Sequence, residues 1–142
     1  MSPDVPPPVT LDLRWDGDLR LAGRADGVAL TLDGDKIAGP SPVQTLAFAL
    51  AGCMAADVVS ILVKGRVGLE GLRARLVGER RGEEPRRFVK IALHFVVTGP
   101  VPPEKVERAL ALSREKYCSV WHSLRQDIEL TTTFEIEQRR SG

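Results

Sequence analysis

A stretch of eleven residues without a charge, residues 46–56, constrains the fold more than any other feature of this sequence. It lies inside a predicted helix over residues 43–64, where Ser41, Pro42 and Gln44 form a capping box at the start and Gly65 is the stop signal. A helix that is apolar on all sides is buried on all sides. A chain of 142 residues cannot easily surround such a helix, so the pattern predicts that a partner subunit covers it.

Composition narrows the class of protein. A length of 142 residues with 43% hydrophobic residues fits one folded domain and excludes wholesale disorder. A net charge of +1 and an aromatic content of 5% argue against nucleic acid or an anionic membrane as partner. We expect no membrane span, because no run of about 18 apolar residues is free of charge, and no signal peptide, because the N-terminus has neither a basic segment nor an apolar segment after it. These observations favour a cytoplasmic protein.

The pattern of elements predicts an α+β fold with antiparallel sheet and two main helices. Residues 1–9 are expected to form a flexible N-terminal arm, and residues 10–142 a single domain. Asp-Gly pairs separate the first short strands, and a charged connection joins the strands of a later hairpin. The predicted strands are residues 9–15, 20–24, 28–33, 69–78, 88–98 and 128–136, and the predicted helices after the first are residues 104–116 and 119–125.

Cys53 and Cys118 are the two cysteines, and each falls at a helix-packing position where an inert buried thiol is equally expected. Asp57 follows Cys53 by one helical turn, and His122 lies four residues after Cys118. Asp57 is either a pocket group or a charge at the helix surface or at an interface, and His122 is either a pocket group or an ordinary surface or interface histidine. A metal site built from both cysteines, His122 and His94 is a further alternative. Its Cys-x-x-x-His spacing is a poor zinc signature, so no metal is assigned.

At this point the sequence resembles a known family, the osmotically inducible protein C and organic hydroperoxide resistance (OsmC/Ohr) family, in its OsmC-like branch. The resemblance runs from about residue 10 to residue 137. It implies an intertwined α+β homodimer with two long central helices. The matching segments are Gly39-Pro40-Ser41-Pro42, Leu50-Ala51-Gly52-Cys53, Asp57-Val58-Val59-Ser60-Ile61-Leu62, Leu69-Glu70-Gly71-Leu72 and Glu115-Lys116-Tyr117-Cys118-Ser119-Val120.

The resemblance also implies an activity, the thiol-dependent reduction of organic hydroperoxides in defence against oxidative stress. In that activity Cys53 is the peroxidatic nucleophile and Cys118 is the resolving thiol. The resulting disulfide is reduced by a dithiol of the lipoyl type. The chemistry requires no metal, flavin or haem.

A buried thiolate needs a cation beside it, and the family uses an arginine from the N-terminal strands held by a glutamate near the start of the long helix. Arg14, Arg20 and Arg24 are the candidates here, and Arg20 is the best positional match. The glutamate is missing, and Gln44 stands in that region as a neutral arginine partner or simply as the capping-box residue. This departure supports an alternative function, a non-enzymatic homodimer that binds apolar ligands and has lost the full catalytic network.

Overall fold

The computed structural model describes residues 4–138, in which two compact units meet in sequence between Leu46 and Ala47. Of the predicted N-terminal arm, residues 4–9 are exposed and contain neither helix nor strand, and residues 1–3 lie outside the described residues. The elements in chain order are β1 (Asp12–Trp15), β2 (Arg20–Ala25), β3 (Val28–Asp33), α1 (Pro42–Lys64), β4 (Gly71–Arg80), β5 (Phe88–Thr98), α2 (Pro103–Leu112), a π-helical turn (Ser113–Tyr117), α3 (Ser119–His122) and β6 (Glu129–Glu137). The predicted order of strands and helices and the α+β class are confirmed.

The first unit is an antiparallel meander with strand order β1-β2-β3. Asp26 and Gly27 connect β2 to β3 with φ angles of 50° and 80°, and this left-handed pair is the two-residue turn that suits a twisted hairpin. The first strand begins at Asp12, three residues later than the sequence pattern suggests. All four residues of that strand are exposed in the single chain, so little packing extends the strand toward the N-terminus.

The segment between β3 and α1 is organised by the buried Asp33 carboxylate, which accepts hydrogen bonds from the backbone N–H groups of Asp35 at 2.8 Å and Ala38 at 2.9 Å. These bonds hold the pKa of Asp33 below its usual value. At the helix start, Gln44 N–H donates to Ser41 Oγ at 3.1 Å and Ser41 N–H donates to Gln44 Oε1 at 2.9 Å. The predicted capping box is therefore confirmed in both directions.

Helix α1 buries one stripe and leaves much of its apolar surface exposed. The buried residues recur every four positions and belong to the hydrophobic core: Leu50, Met54, Val58 and Leu62. Phe48 remains 69% exposed. By length and composition alone this helix is apolar enough to cross a membrane, although Asp57 lies within it. That is weak evidence, because the core helix of a water-soluble protein passes the same test.

The second unit contains a mixed sheet with strand order β4-β5-β6. The predicted β4–β5 hairpin is confirmed, with Gly71 opposite Thr98 in an antiparallel register. Strand β6 pairs with β5 in parallel, which corrects the expectation of antiparallel sheet for this strand. The helices between β5 and β6 carry the chain back to the end of the sheet where β5 begins, and such a crossover makes neighbouring strands parallel.

Strand β5 is central in this sheet, and its alternate side chains Ile91, Leu93, Phe95 and Val97 are buried, as the sequence pattern predicts. The predicted helix over residues 104–116 consists of α2 and the π-helical turn that follows it. The following helix ends at His122 and is thus shorter than predicted. The π-helical turn is the unexpected feature, and it directly precedes Cys118.

Candidate functional site

Helix α1 presents Cys53 and Asp57 beside its buried stripe. The two residues lie four apart on the helix, so their side chains point in nearly the same direction. Each is three residues after a core residue, Leu50 and Met54 respectively, and each is half-buried. The packing of α1 therefore places one thiol and one carboxylate at the border between the core and the solvent.

Cys118 lies at the end of the π-helical turn and at the N-cap of α3. Its side chain is 0% exposed. Its sulfur accepts a hydrogen bond from the Trp121 backbone N–H at 3.4 Å, and its own N–H donates to the Ser113 carbonyl at 2.8 Å. Both the backbone and the side chain of Cys118 are thus fixed by hydrogen bonds.

The structure brings these three groups together. Cys53 Sγ, Cys118 Sγ and a carboxylate oxygen of Asp57 all lie within 4.8 Å of one another, and both cysteines are free thiols. Ser113, which is fully buried, donates its hydroxyl to Asp57 Oδ2 at 2.8 Å. Asp57 is therefore held beside the thiols by a hydrogen bond from a buried hydroxyl group.

Burial raises the pKa of the Cys118 thiol to about 11. The Trp121 N–H bond opposes this shift, whereas the hydrogen bond to Cys53 and the negative charges of Cys53 and Asp57 add to it. At neutral pH Cys118 therefore keeps its proton. Of the two thiols, the partly exposed Cys53 is the better placed to react first.

Other predicted residues lie elsewhere. Gln44 is engaged in the capping box with Ser41. His122 is exposed, and its Nε2 contacts the Arg114 carbonyl oxygen at 2.9 Å. His94 contacts Thr133 Oγ1 at 2.7 Å and Glu135 Oε1 at 3.1 Å. The cluster of metal-ligating side chains in the described part of the chain contains neither histidine, so the four-residue metal site with two histidines is not formed.

The three candidate arginines lie on the first sheet. Arg14 faces Ala22 across β1 and β2, and alternation along β2 puts Arg20 and Arg24 on the same face as Ala22. Arg20 is engaged locally, because its guanidinium donates to the Asp18 carboxylate at 3.1 Å and to the Asp16 carbonyl at 3.0 Å. The role of Arg20 as an activator stays a prediction.

Sequence reasoning missed Ser113. The signal was present, because Ser113 follows Ala109 by four residues and so continues the buried stripe of α2 with a hydroxyl group. A buried polar side chain needs a hydrogen-bond partner, and this one finds it in Asp57. Ser113 on the apolar stripe of α2 and Asp57 on the apolar helix α1 thus satisfy each other's need for a hydrogen-bond partner.

Fold and site together define an α+β protein with a two-thiol centre between its longest helix and a π-helical turn. The model of a family described as OsmC-like protein matches residues 33–133. The chain belongs to this family. The resemblance inferred from the sequence motifs is therefore confirmed.

Individual relatives agree with this assignment. Protein YhfA of Escherichia coli strain K12 is 42% identical over 129 residues, which cover 87% of this chain and 95% of the relative. A hypothetical protein from Aquifex aeolicus superposes with a TM-score of 0.87 at 25% identity, covering 94% of this chain and 99% of its own. An organic hydroperoxide resistance protein OsmC from Legionella pneumophila shares the fold, with a TM-score of 0.68 at 17% identity over 92% of this chain and 98% of its own.

The difference between the two thiols predicts the order of alkylation. At neutral pH iodoacetamide should label Cys53 first and Cys118 slowly, because Cys118 is buried and its pKa is about 11. Asp57→Asn removes a negative charge that raises the pKa of Cys118, so labelling of Cys118 should become faster. Peptide mapping by mass spectrometry measures both rates. Glu83→Gln, which changes an exposed carboxylate in the β4–β5 connection, is the matched control, and labelling of Cys118 before Cys53 would contradict the expectation.

Proposed function

We propose that this protein is a thiol-dependent peroxidase that reduces organic hydroperoxides through a disulfide between Cys53 and Cys118. The observation that carries the proposal is the pair of free thiols whose sulfur atoms lie within 4.8 Å. A disulfide requires sulfur atoms about 2.05 Å apart, so only a small movement separates the reduced pair from the bond. Relatives of the same fold that are called organic hydroperoxide resistance proteins support the substrate class.

The cycle begins at Cys53. Its thiolate attacks the outer oxygen of the hydroperoxide, and the O–O bond breaks to give a sulfenic acid and an alkoxide, which takes a proton and leaves as the alcohol. Cys118 then loses its proton and attacks the Cys53 sulfur. The sulfenic hydroxyl leaves as water, and the Cys53–Cys118 disulfide forms. The peroxide has gained two electrons, and the two thiols have supplied them.

A dithiol of the lipoyl type returns the protein to its reduced state by thiol–disulfide exchange and becomes a disulfide itself. We place this cycle in the cytoplasm, because a reducing compartment returns the thiols to their reduced state. The chain residues in contact with the reacting thiols then have distinct tasks. Burial, with a smaller contribution from Asp57, keeps Cys118 protonated until the sulfenic acid has formed, so the two thiols act in sequence.

A specific observation favours the alternative function, a homodimer that binds apolar ligands without catalysis. Gln44 is used to cap α1, and the carboxylate of Asp57 lies within 4.8 Å of both sulfur atoms. Negative neighbours disfavour a thiolate. The following experiments separate the two functions.

The first experiment tests the division of labour between the thiols. Cys53→Ser should abolish consumption of cumene hydroperoxide, because the nucleophile is gone. Cys118→Ser should complete one turnover and then stop at a sulfenic acid that dimedone traps, because the sulfenic acid has no resolving thiol. Intact-mass measurement of the wild type and both variants distinguishes the reduced thiol, the sulfenic acid and the disulfide.

Wild-type protein treated with one equivalent of hydroperoxide should lose the mass of two hydrogen atoms and give no dimedone adduct. If neither thiol reacts with hydroperoxide in the wild type, the protein is not a peroxidase, and the ligand-binding function is favoured. If Cys53→Ser reacts and Cys118→Ser does not, the roles of the two cysteines are reversed.

The second experiment tests the proposed activator. If Arg20 is the activator, Arg20→Ala should slow both the alkylation of Cys53 at neutral pH and its reaction with hydroperoxide, since a cation favours the reactive thiolate. Arg24→Ala is a matched control, because Arg24 lies on the same strand and the same face of the sheet. Stopped-flow alkylation measures the rates. An equal or larger effect at Arg24 or Arg14 would assign the role to that residue.

We also propose that the protein is a homodimer that covers α1 and the first sheet. Three large apolar side chains support this, since Phe48 is 69%, Trp15 70% and Leu13 54% exposed in the single chain. Gly52 adds a further observation, because a Cβ at this position meets no atom within 4 Å. Within one chain nothing requires this glycine, which costs about 1 kcal/mol in a helix interior relative to alanine. Close approach of a second copy would explain it.

Substitution of the exposed helix face tests this assembly. Wild-type protein should sediment as a dimer at micromolar concentration, and Phe48→Asp should shift it to a folded monomer, because a carboxylate would be buried in the interface. Val77→Asp is the control, since Val77 is an exposed apolar residue of β4. Gly52→Ala gives an independent result: it should weaken the dimer, whereas a monomer would gain about 1 kcal/mol of stability. A folded wild-type monomer would contradict the proposal.

A further inference from the structure

The cluster at the candidate site also offers three ligand atoms for a metal ion, one each from Cys53, Asp57 and Cys118. Their two sulfur atoms and one carboxylate oxygen lie within 4.8 Å of one another. In a tetrahedral zinc site such ligand atoms lie ~3.5–3.8 Å apart, as follows from Zn–S distances of about 2.3 Å and Zn–O distances of about 2.0–2.2 Å. The three groups can therefore converge on one ion with small side-chain movements.

The charges of the cluster favour a cation. If both thiols lose their protons, three negative charges come together on ligand atoms that lie within 4.8 Å of one another. Repulsion of this kind is relieved by retained protons or by a bound positive ion. Two thiolates and a carboxylate are ligands that select a soft or borderline divalent cation such as Zn²⁺ over Mg²⁺ or Ca²⁺.

Hydrogen bonds around the cluster hold the donors in place. Ser113 Oγ donates to one oxygen of Asp57 at 2.8 Å, and the Trp121 N–H donates to the Cys118 sulfur at 3.4 Å. Ligands of protein metal sites are oriented by outer hydrogen bonds of this kind. Cys53 and Asp57 are half-buried, so an ion can enter from the solvent and keep a water molecule in a fourth position.

We propose that the reduced protein binds one thiophilic divalent cation, with Zn²⁺ as the representative ion, through Cys53 Sγ, Cys118 Sγ and the Asp57 carboxylate. Bound metal occupies both thiols and so protects them from alkylation and from peroxide. The site differs from the histidine-containing set considered from the sequence, because His94 and His122 are engaged elsewhere. It does not rest on peroxidase activity, since binding requires only the reduced thiols and the carboxylate.

Cadmium is a suitable probe, because a Cd²⁺–thiolate bond gives an ultraviolet charge-transfer band. Titration of the reduced, metal-free wild type with Cd²⁺ should saturate at one ion per chain and should protect both thiols from alkylation. Added Zn²⁺ should displace the Cd²⁺ and abolish the band. Cys53→Ser and Cys118→Ser should each lose most of the band and bind at least a hundredfold more weakly.

Two further variants keep both thiols and test the oxygen ligand and its support. Asp57→Asn should weaken Cd²⁺ and Zn²⁺ binding at least tenfold, and Ser113→Ala should weaken it ~10–100-fold, as loss of an outer hydrogen bond does at metal sites. Circular dichroism verifies that each variant is folded. His94→Gln and His122→Gln are controls that should bind as the wild type does.

Several results would overturn the proposal: no thiolate band with the reduced wild type, more than one chain needed per ion, or binding that Asp57→Asn leaves unchanged. Loss of binding in the histidine variants would also overturn it, because the ligands would then be different. These measurements use no peroxide. Failure of the metal site is therefore distinguishable from failure of the peroxidase, which the cysteine variants test with hydroperoxide alone.

Discussion

The packing of α1 fixes almost everything else at the candidate site. Its stripe of Leu50, Met54, Val58 and Leu62 lies in the same hydrophobic core as the buried side chains of β5, and this sets the rotation of the helix about its axis. Burying four such side chains contributes on the order of 6–12 kcal/mol before entropy is subtracted. Because the rotation is fixed, Cys53 and Asp57 lie at the edge of that core.

The second half of the site depends on a change in helix type. Where α2 gives way to the π-helical turn, the chain makes a wider turn, and Cys118 follows with its N–H bonded to the Ser113 carbonyl. The same turn carries the Ser113 hydroxyl that holds Asp57. One local feature of the backbone thus positions both the second thiol and the partner of the carboxylate.

The resulting cluster combines the carboxylate of Asp57 with a thiol, that of Cys118, which is fully buried. Burial and negative neighbours keep Cys118 protonated, so the cluster distinguishes two thiols that are otherwise identical groups. Such a cluster supports sequential thiol chemistry, because Cys53 can react while Cys118 is still protonated. The same donors suit a soft cation, because a positive ion relieves the repulsion that deprotonation of both thiols creates. Peroxide reduction and metal binding would then compete for one pair of sulfur atoms.

The sequence by itself determined the features that depend on neighbouring residues. Ser41 and Gln44 predict the start of α1, Asp26-Gly27 predicts a turn, and the alternation along β5 predicts its buried face; the structure confirms each, because these signals act within a few residues. The family also followed from local motifs around Cys53 and Cys118. The uncharged residues 46–56 of α1 predicted a helix that one chain cannot bury completely, and Phe48 is indeed exposed.

Only the tertiary structure decided how distant segments meet. The parallel pairing of β6, the proximity of Cys53 to Cys118 across 65 residues, and the bond between Ser113 and Asp57 all join parts of the chain far apart in sequence. No propensity or spacing encodes such contacts, because they follow from how the core packs and not from neighbouring residues. Asp57 shows the difference most clearly. On the sequence it is a charge on an apolar helix, and its role depends on a hydroxyl and two thiols that folding brings to it.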